Sequence, residues 1–157
     1  MHVEMSQIDT KYFGNLPYRA ESVFEFPYGL PGFEHDTQFV LIELEQHAPL
    51  VFLQSLSRKD LCFLAFPIQV VDPDYRLGVT PDDLKALDLE LARQPDVATE
   101  VLVLALISLH DKFSATANLM APIVINLRTR QALQAIRQDS SYSHQHPVRP
   151  RALEGAC

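Results

Sequence analysis

Few residues in this chain have the types and spacing that chemistry needs. His144 and His146 alternate near the C-terminus and can share a metal ion, but a zinc site takes three or four protein ligands and no third is spaced nearby. Cys62 sits inside the apolar run at 61–66 with no histidine at a catalytic spacing, so it reads as a small hydrophobe rather than a nucleophile. Asp72 and Asp74 flank Pro73, and Asp82 and Asp83 are adjacent. A turn accounts for the first pair and helix capping for the second, so neither reads as a general acid–base dyad. Gly29 and Gly32 do not make a phosphate-cradling loop, because they lie in a proline-containing turn with no helix signal behind it. The expectation is a protein with no catalytic residue, no cofactor and no metal, which acts by binding.

The candidates for binding are polar residues beside rigid or apolar segments. Residues 26–34 hold two prolines and two of the chain's five glycines, which makes a rigid irregular loop: proline fixes φ while glycine supplies conformations that other residues avoid. Phe26, Leu30 and Phe33 are its expected anchors. Glu34 and Asp36, next to this loop, offer negative charge to a basic partner. Gln54 and Ser55 end an apolar strand and are expected at its rim. Asn118 and Asn126 bracket another strand, where each either caps the turning backbone, the reading its residue type favours, or faces a partner. Glu34, Asp36, Gln54, Ser55, Asn118 and Asn126 are thus the candidate partner-binding set. Lysine in place of Glu34 and Asp36 is expected to weaken binding without unfolding the protein.

The elements that must position these residues are mostly strands. Pro122 lacks an amide donor, so it opens a strand or sits at an edge, and Ile123, Val124 and Ile125 form the strand proper. Residues 8–18 read as two short strands around a turn and 23–26 as a brief strand. Those at 39–42, 50–53 and 61–66 read as an antiparallel meander with short polar links. Residues 101–109 are apolar on both faces and read as the central strand, buried on both sides. Strands are also expected at 113–119 and 122–126, and a last strand or short helix at 131–136. One helix is signalled, with Thr80 as N-cap, Pro81 at the first helical position, Asp82 and Asp83 in the first turn, and Leu84 and Leu87 toward the sheet. Pro95 is its latest possible stop. Residues 68–75 read as irregular, and the segment from Asp139 onward as a polar, mobile tail. The sum is a mostly β fold: a small antiparallel β-barrel-like single domain over 1–148 with one short helix, followed by a flexible C-terminal tail over 149–157.

A chain of 157 residues makes about one domain, and 47% hydrophobic with 21% charged residues is the composition of an ordinary folded protein. No apolar run approaches the ~20 residues of a membrane helix, and the N-terminus lacks a signal pattern, so the cytoplasm is expected and no membrane contact. Two cysteines, one of them the last residue, are a poor disulfide framework. The net charge of −7 argues against nucleic acid as a direct ligand, since counterion release needs clustered Lys and Arg; a basic protein partner fits better. A small β-barrel that binds single-stranded nucleic acid is the alternative, and it would need a basic groove with exposed aromatics.

The loop motif Gly29-Leu-Pro-Gly-Phe33, then Phe52-Leu-Gln-Ser55, then Thr116-Ala-Asn-Leu-Met-Ala-Pro-Ile-Val-Ile-Asn126 together resemble the flagellar assembly factor FliW family in order and spacing. Tyr142 with His146-Pro147 resembles that family's C-terminal ending, and the likeness runs over about 8–148. The resemblance implies a non-enzymatic protein that binds flagellin in the cytoplasm and antagonises the translational regulator CsrA allosterically, by protein–protein contact. Flagellin occupancy would leave CsrA free to repress flagellin synthesis, and flagellin export would free the factor to capture CsrA. A monomer is favoured. Residues 149–157 extend past the family's usual ending.

Overall fold

The structure, a computed structural model, describes residues 5–111 and 114–148. In chain order its strands and helices are β1 (Ser6–Thr10), β2 (Gly14–Tyr18), β3 (Val23–Glu25), β4 (Gln38–Glu43), β5 (Val51–Ser55), β6 (Cys62–Pro67), α1 (Ile68–Val71), α2 (Pro81–Ala86), β7 (Val101–Leu109), β8 (Ala115–Ala117), β9 (Ile123–Asn126), β10 (Ala132–Gln134) and β11 (His146–Pro147). β1 and β2 form a separate hairpin. The rest make one antiparallel sheet in the order β10-β9-β7-β6-β5-β4-β3, with β8 on β7 and β11 on β8.

The mostly β, antiparallel body is as expected, and β7 is its central strand. One edge of β7 pairs with β6, while the other serves β9 from Val101 to Leu104 and β8 from Ile107 to Leu109. Its uninterrupted apolar run has a direct cause, because alternate residues enter two different cores. Val101, Val103, Ala105 and Ile107 join the core that contains Phe66, Ile68, Leu84 and Leu87. Leu104 joins the opposite core with Phe26, Leu30, Phe39, Ile123 and Ile125. Over 101–107, where both faces are covered, no position is left for a polar side chain, and Ser108 comes only where the strand emerges to solvent. Full burial of each Leu or Ile in these cores is worth roughly 1.5–3 kcal/mol.

The two cores are sealed differently. The first is covered by the helices and by the hairpin, whose Phe13 ring meets Phe52 edge-on at 5.2 Å between centroids. The second is plugged by the loop after β3, with Phe26 edge-on to Phe39 at 5.3 Å and Phe33 edge-on to Phe63 at 5.4 Å.

Four expectations need correction. The sheet curls until its ends touch, Glu25 donating its N–H to the Arg130 carbonyl at 3.0 Å beside the lone Glu25–Gln131 bridge. No ladder closes the ring, because β3 and β10 are only three residues each, so the barrel-like form is a curled open sheet. The α-helices number two among the described residues, since 68–75 opens with the single turn α1. The segment from Asp139 is no mobile tail as far as Val148. There Leu119 donates its N–H to the Ser143 carbonyl at 3.0 Å, β11 pairs with β8, and Val148 donates to the Ala115 carbonyl at 3.0 Å. The strand expected at 113–119 is shorter, Ala115–Ala117, and Phe113 and the expected tail at 149–157 lie outside the described residues.

The start of α2 follows its signals: Thr80 Oγ1 accepts the Asp83 N–H at 3.2 Å, and Pro81 follows at once. Its end comes well before Pro95. Asp88 takes a left-handed φ of 56°, and Leu89 and Asp88 donate back to the Leu84 and Lys85 carbonyls at 2.9 and 3.1 Å. That pairing is a Schellman closure, built here on aspartate rather than the usual glycine.

Candidate functional site

The loop between β3 and β4 is made stiff by its own backbone. Gly29 donates to the Phe26 carbonyl at 2.8 Å, Phe33 to Leu30 at 2.7 Å and Asp36 to Phe33 at 3.1 Å, so three successive turns interlock. Gly29 and Gly32 adopt φ of 62° and 85°, the left-handed conformations that glycine adopts without steric cost. Phe26 and Leu30 are buried as expected, and Phe33 is half-buried. With its anchors inward, the loop presents Tyr28, Pro31, Gly32 and Glu34 to solvent, and Tyr28 is 68% exposed. Glu34 Oε1 accepts the Gly32 N–H at 3.1 Å. Its carboxyl lies below the ordinary glutamate range because its own backbone N–H and that of Gly32 favour the charged form. Glu34 is therefore an exposed, fixed negative charge.

The other acidic candidate is placed differently. Asp36 is 3% exposed, accepts the Ser57 hydroxyl proton on Oδ1 at 2.6 Å, and has Arg58 Nη2 3.1 Å from Oδ2. The Arg58 approach is a charge contact rather than an aligned hydrogen bond, and the Arg58 guanidinium also lies over the Phe33 ring at 5.5 Å. Asp36 thus ties the loop after β5 to the loop after β3. Lysine there would bury a second cation beside Arg58, which corrects the expectation that Asp36 can be exchanged without harm to the fold.

Gln54 and Ser55 are not at a rim; both are fully buried. Gln54 Nε2 donates to the Ser55, Arg58 and Lys59 carbonyls at 3.0–3.4 Å, and Ser55 Oγ accepts the N–H groups of Ser57 and Arg58 at 3.1 and 3.0 Å. The strand-end polarity is real, but it satisfies the turn that follows.

The asparagines divide in the same way. Asn118 Oδ1 accepts the N–H groups of Met120 and Ala121 at 3.1 and 3.0 Å, the capping role that its residue type favours. Asn126, 2% exposed, donates to the Leu87 carbonyl at 2.7 Å and accepts from Arg128 N–H at 2.9 Å, and so fastens the end of α2 to the end of β9. Asn126→Ala should lower stability by about 1–3 kcal/mol, because the Leu87 carbonyl and the 128–129 turn lose their partner. Urea unfolding measures this, and a change below the scatter between replicates would refute the fastening role.

Of the six candidates, the structure brings Glu34, Asp36, Gln54 and Ser55 to one end of the sheet, with Glu34 alone exposed and the other three shaping the loops around it. Asn118 and Asn126 stand apart and serve the backbone.

Residues 7–148 match the family model described as FliW protein. The chain belongs to the FliW family. Among its relatives, the flagellar assembly factor FliW of Bacillus subtilis (strain 168) is 32% identical over 142 residues, covering 90% of this chain and 95% of that one. The Bacillus licheniformis protein of the same name is 35% identical with the same coverage. A crystal structure of the flagellar assembly factor FliW superposes with a TM-score of 0.80 at 29% identity, covering 93% of this chain and 99% of the other. The fold is therefore that of FliW proteins along nearly the whole chain.

Two features of this FliW chain escaped sequence reasoning. One is the exposed ring of Tyr28, which an aromatic-rich loop motif conceals among anchors. The other is Arg137, 8% exposed, whose fork meets Asp139 through Nε and Nη2 at 2.8 and 2.9 Å while Nη1 reaches the Arg76 carbonyl at 2.6 Å. Its guanidinium lies over the Tyr142 ring at 4.8 Å, and Tyr142 Oη accepts the Arg76 N–H at 3.0 Å. Among the described residues no helix is long and apolar enough to cross a membrane.

Proposed function

We propose that this chain is a cytoplasmic, non-enzymatic flagellar assembly factor that binds flagellin and antagonises CsrA allosterically, the two partners competing for one pool of protein. The observation that carries this reading is the full-length likeness to flagellar assembly factors, which spans both of its sheet cores and the stiff loop between β3 and β4. A partner switch of this kind needs a preformed surface rather than reacting groups. The interlocked turns at 26–36 supply one, and Glu34 gives it a fixed negative charge at a point where the overall charge of −7 already favours a basic partner.

Calorimetry with purified flagellin and purified CsrA tests the proposal. Each should bind at micromolar or lower concentration, and saturating flagellin should abolish the CsrA heat. Glu34→Lys should weaken CsrA roughly tenfold, as expected for reversing a charge at an interface, with no change in the thermal midpoint. No heat with either protein, or additive binding of both, defeats the proposal. A gel shift with labelled RNA should show no complex with the chain alone.

A further inference from the structure

We infer that the cavity between the loop of residues 26–36 and the first turn of α2 is a socket for one arginine side chain of a basic protein partner, a claim that rests on the partner-binding reading above. The cavity measures about 260 Å³ and is lined by Tyr28, Pro31, Glu34, Asp83, Leu133 and Gln134. That is below the ~300–1,000 Å³ of sites for drug-sized ligands, so a single long side chain is the better fit.

Its walls differ in chemistry in a way that selects a planar cation. Tyr28 contributes an aromatic ring that is 68% exposed and has no stacking partner among the described residues. The fold does not use this ring, because Phe26 and Leu30 already anchor the loop. An exposed aromatic face is the standing partner of a guanidinium, through both its quadrupole and its flat shape. Two acidic residues, Glu34 and Asp83, line the same cavity from separate elements. Glu34 is fixed by the Gly32 N–H at 3.1 Å, and the Asp83 carboxylate makes no hydrogen bond or ion pair among the described residues, its backbone N–H going to Thr80 and its backbone carbonyl to Leu87. A guanidinium offers five N–H groups in a plane, enough to lie on the ring and still meet both acids; an ammonium group cannot do both. Leu133 and Pro31 give the aliphatic stem an apolar bed. Phosphate or nucleic acid would meet two negative charges here and be rejected.

The test uses the full chain labelled with ¹⁵N and two probes, N-acetyl-arginine amide and its neutral isostere N-acetyl-citrulline amide. The arginine probe should shift the backbone signals of Tyr28, Glu34 and Asp83 saturably, and the citrulline probe should leave them in place. Tyr28→Ala and Glu34→Gln, both at exposed positions, should each weaken the arginine response roughly tenfold without moving the thermal midpoint. No saturable shift, an equal response to both probes, or variants that respond like the wild type would overturn the socket. Parallel calorimetry with flagellin and CsrA keeps the two readings apart. Binding of those proteins without any arginine response sinks the socket alone, and an arginine response without either protein supports the socket while the partner reading falls.

Discussion

Gly29→Ala should lower the stability of the chain by about 2–5 kcal/mol, the sum of a left-handed backbone strain of roughly 1–2 and an overpacking cost of roughly 1–3. The reasons are local and independent. At φ 62° an L side chain is strained whatever its surroundings, and a Cβ built there would stand 2.5 Å from Glu34 Cα and 2.6 Å from the Phe33 carbonyl oxygen. Neither atom is the end of a flexible side chain, so the loop itself must open, and Leu30 and Phe26 leave their places in the second core as it does. Gly32→Ala is the control. Its φ is 85°, but nothing lies within 4 Å of the added carbon, so only the backbone strain of roughly 1–2 kcal/mol remains. Urea unfolding of the pair should therefore separate them by at least the overpacking component. If the two variants unfold together, the close contact at Gly29 does not govern the loop.

Arg137→Ala should cost about 2–4 kcal/mol and free the segment from 137 to 148, as measured by hydrogen exchange at the Val148 amide, which donates to the Ala115 carbonyl. The guanidinium closes several gaps at once. It pairs bidentately with Asp139, caps the Arg76 carbonyl, and fills the space beside Gly78, where an added Cβ would lie 2.7 Å from its Cζ. Tyr75 and Tyr142 flank it, with rings 4.4 Å apart. Truncation leaves the Arg76 carbonyl unpartnered and the two tyrosines facing a void. Arg137→Lys should recover only part of the loss, because an ammonium group cannot form the fork. An unprotected Val148 amide in the wild type, or full rescue by lysine, would contradict this account.

The same pair sets a pH dependence. Asp139 has its carboxyl held below the ordinary aspartate range, first by the hydrogen bond from Arg137. A carboxyl depressed in the folded state adds stability above its unfolded value, near 3.9, and loses that contribution as pH falls through the folded one. The stability gap between wild type and Asp139→Asn should accordingly narrow in acid, below about pH 4. A gap that widens there reverses the sign and rejects the linkage.

The parts of the fold legible from residues alone are those where one local cause suffices. β7 could be read because burial on both faces leaves a continuous apolar run, and α2 because Thr80, Pro81 and the two aspartates each act within one turn. α1 could not, since four residues have no period to detect. Gln54 and Ser55 misled for a different reason: a polar side chain at a strand end is equally suited to water and to the carbonyls of the next turn, and only the path of residues 56–60 decides. Asp36 and Arg137 depend on partners 22 and 61 positions away, separations at which no spacing rule applies. Of the proposed binding surface, the rigid loop and Glu34 were visible. The cavity that joins them to Asp83 exists only once α2 is packed beside that loop.

The brevity of β3 and β10 has a consequence for solubility. They are the outermost members of the main strand order, and each is three residues long with one end already taken by the Glu25–Gln131 contact. A foreign strand that docked on either would find too few main-chain donors and acceptors to hold it, so neither end of the main strand order is a template for stacking copies. Protection at these ends comes from shortness, and it holds although the curled sheet stays open.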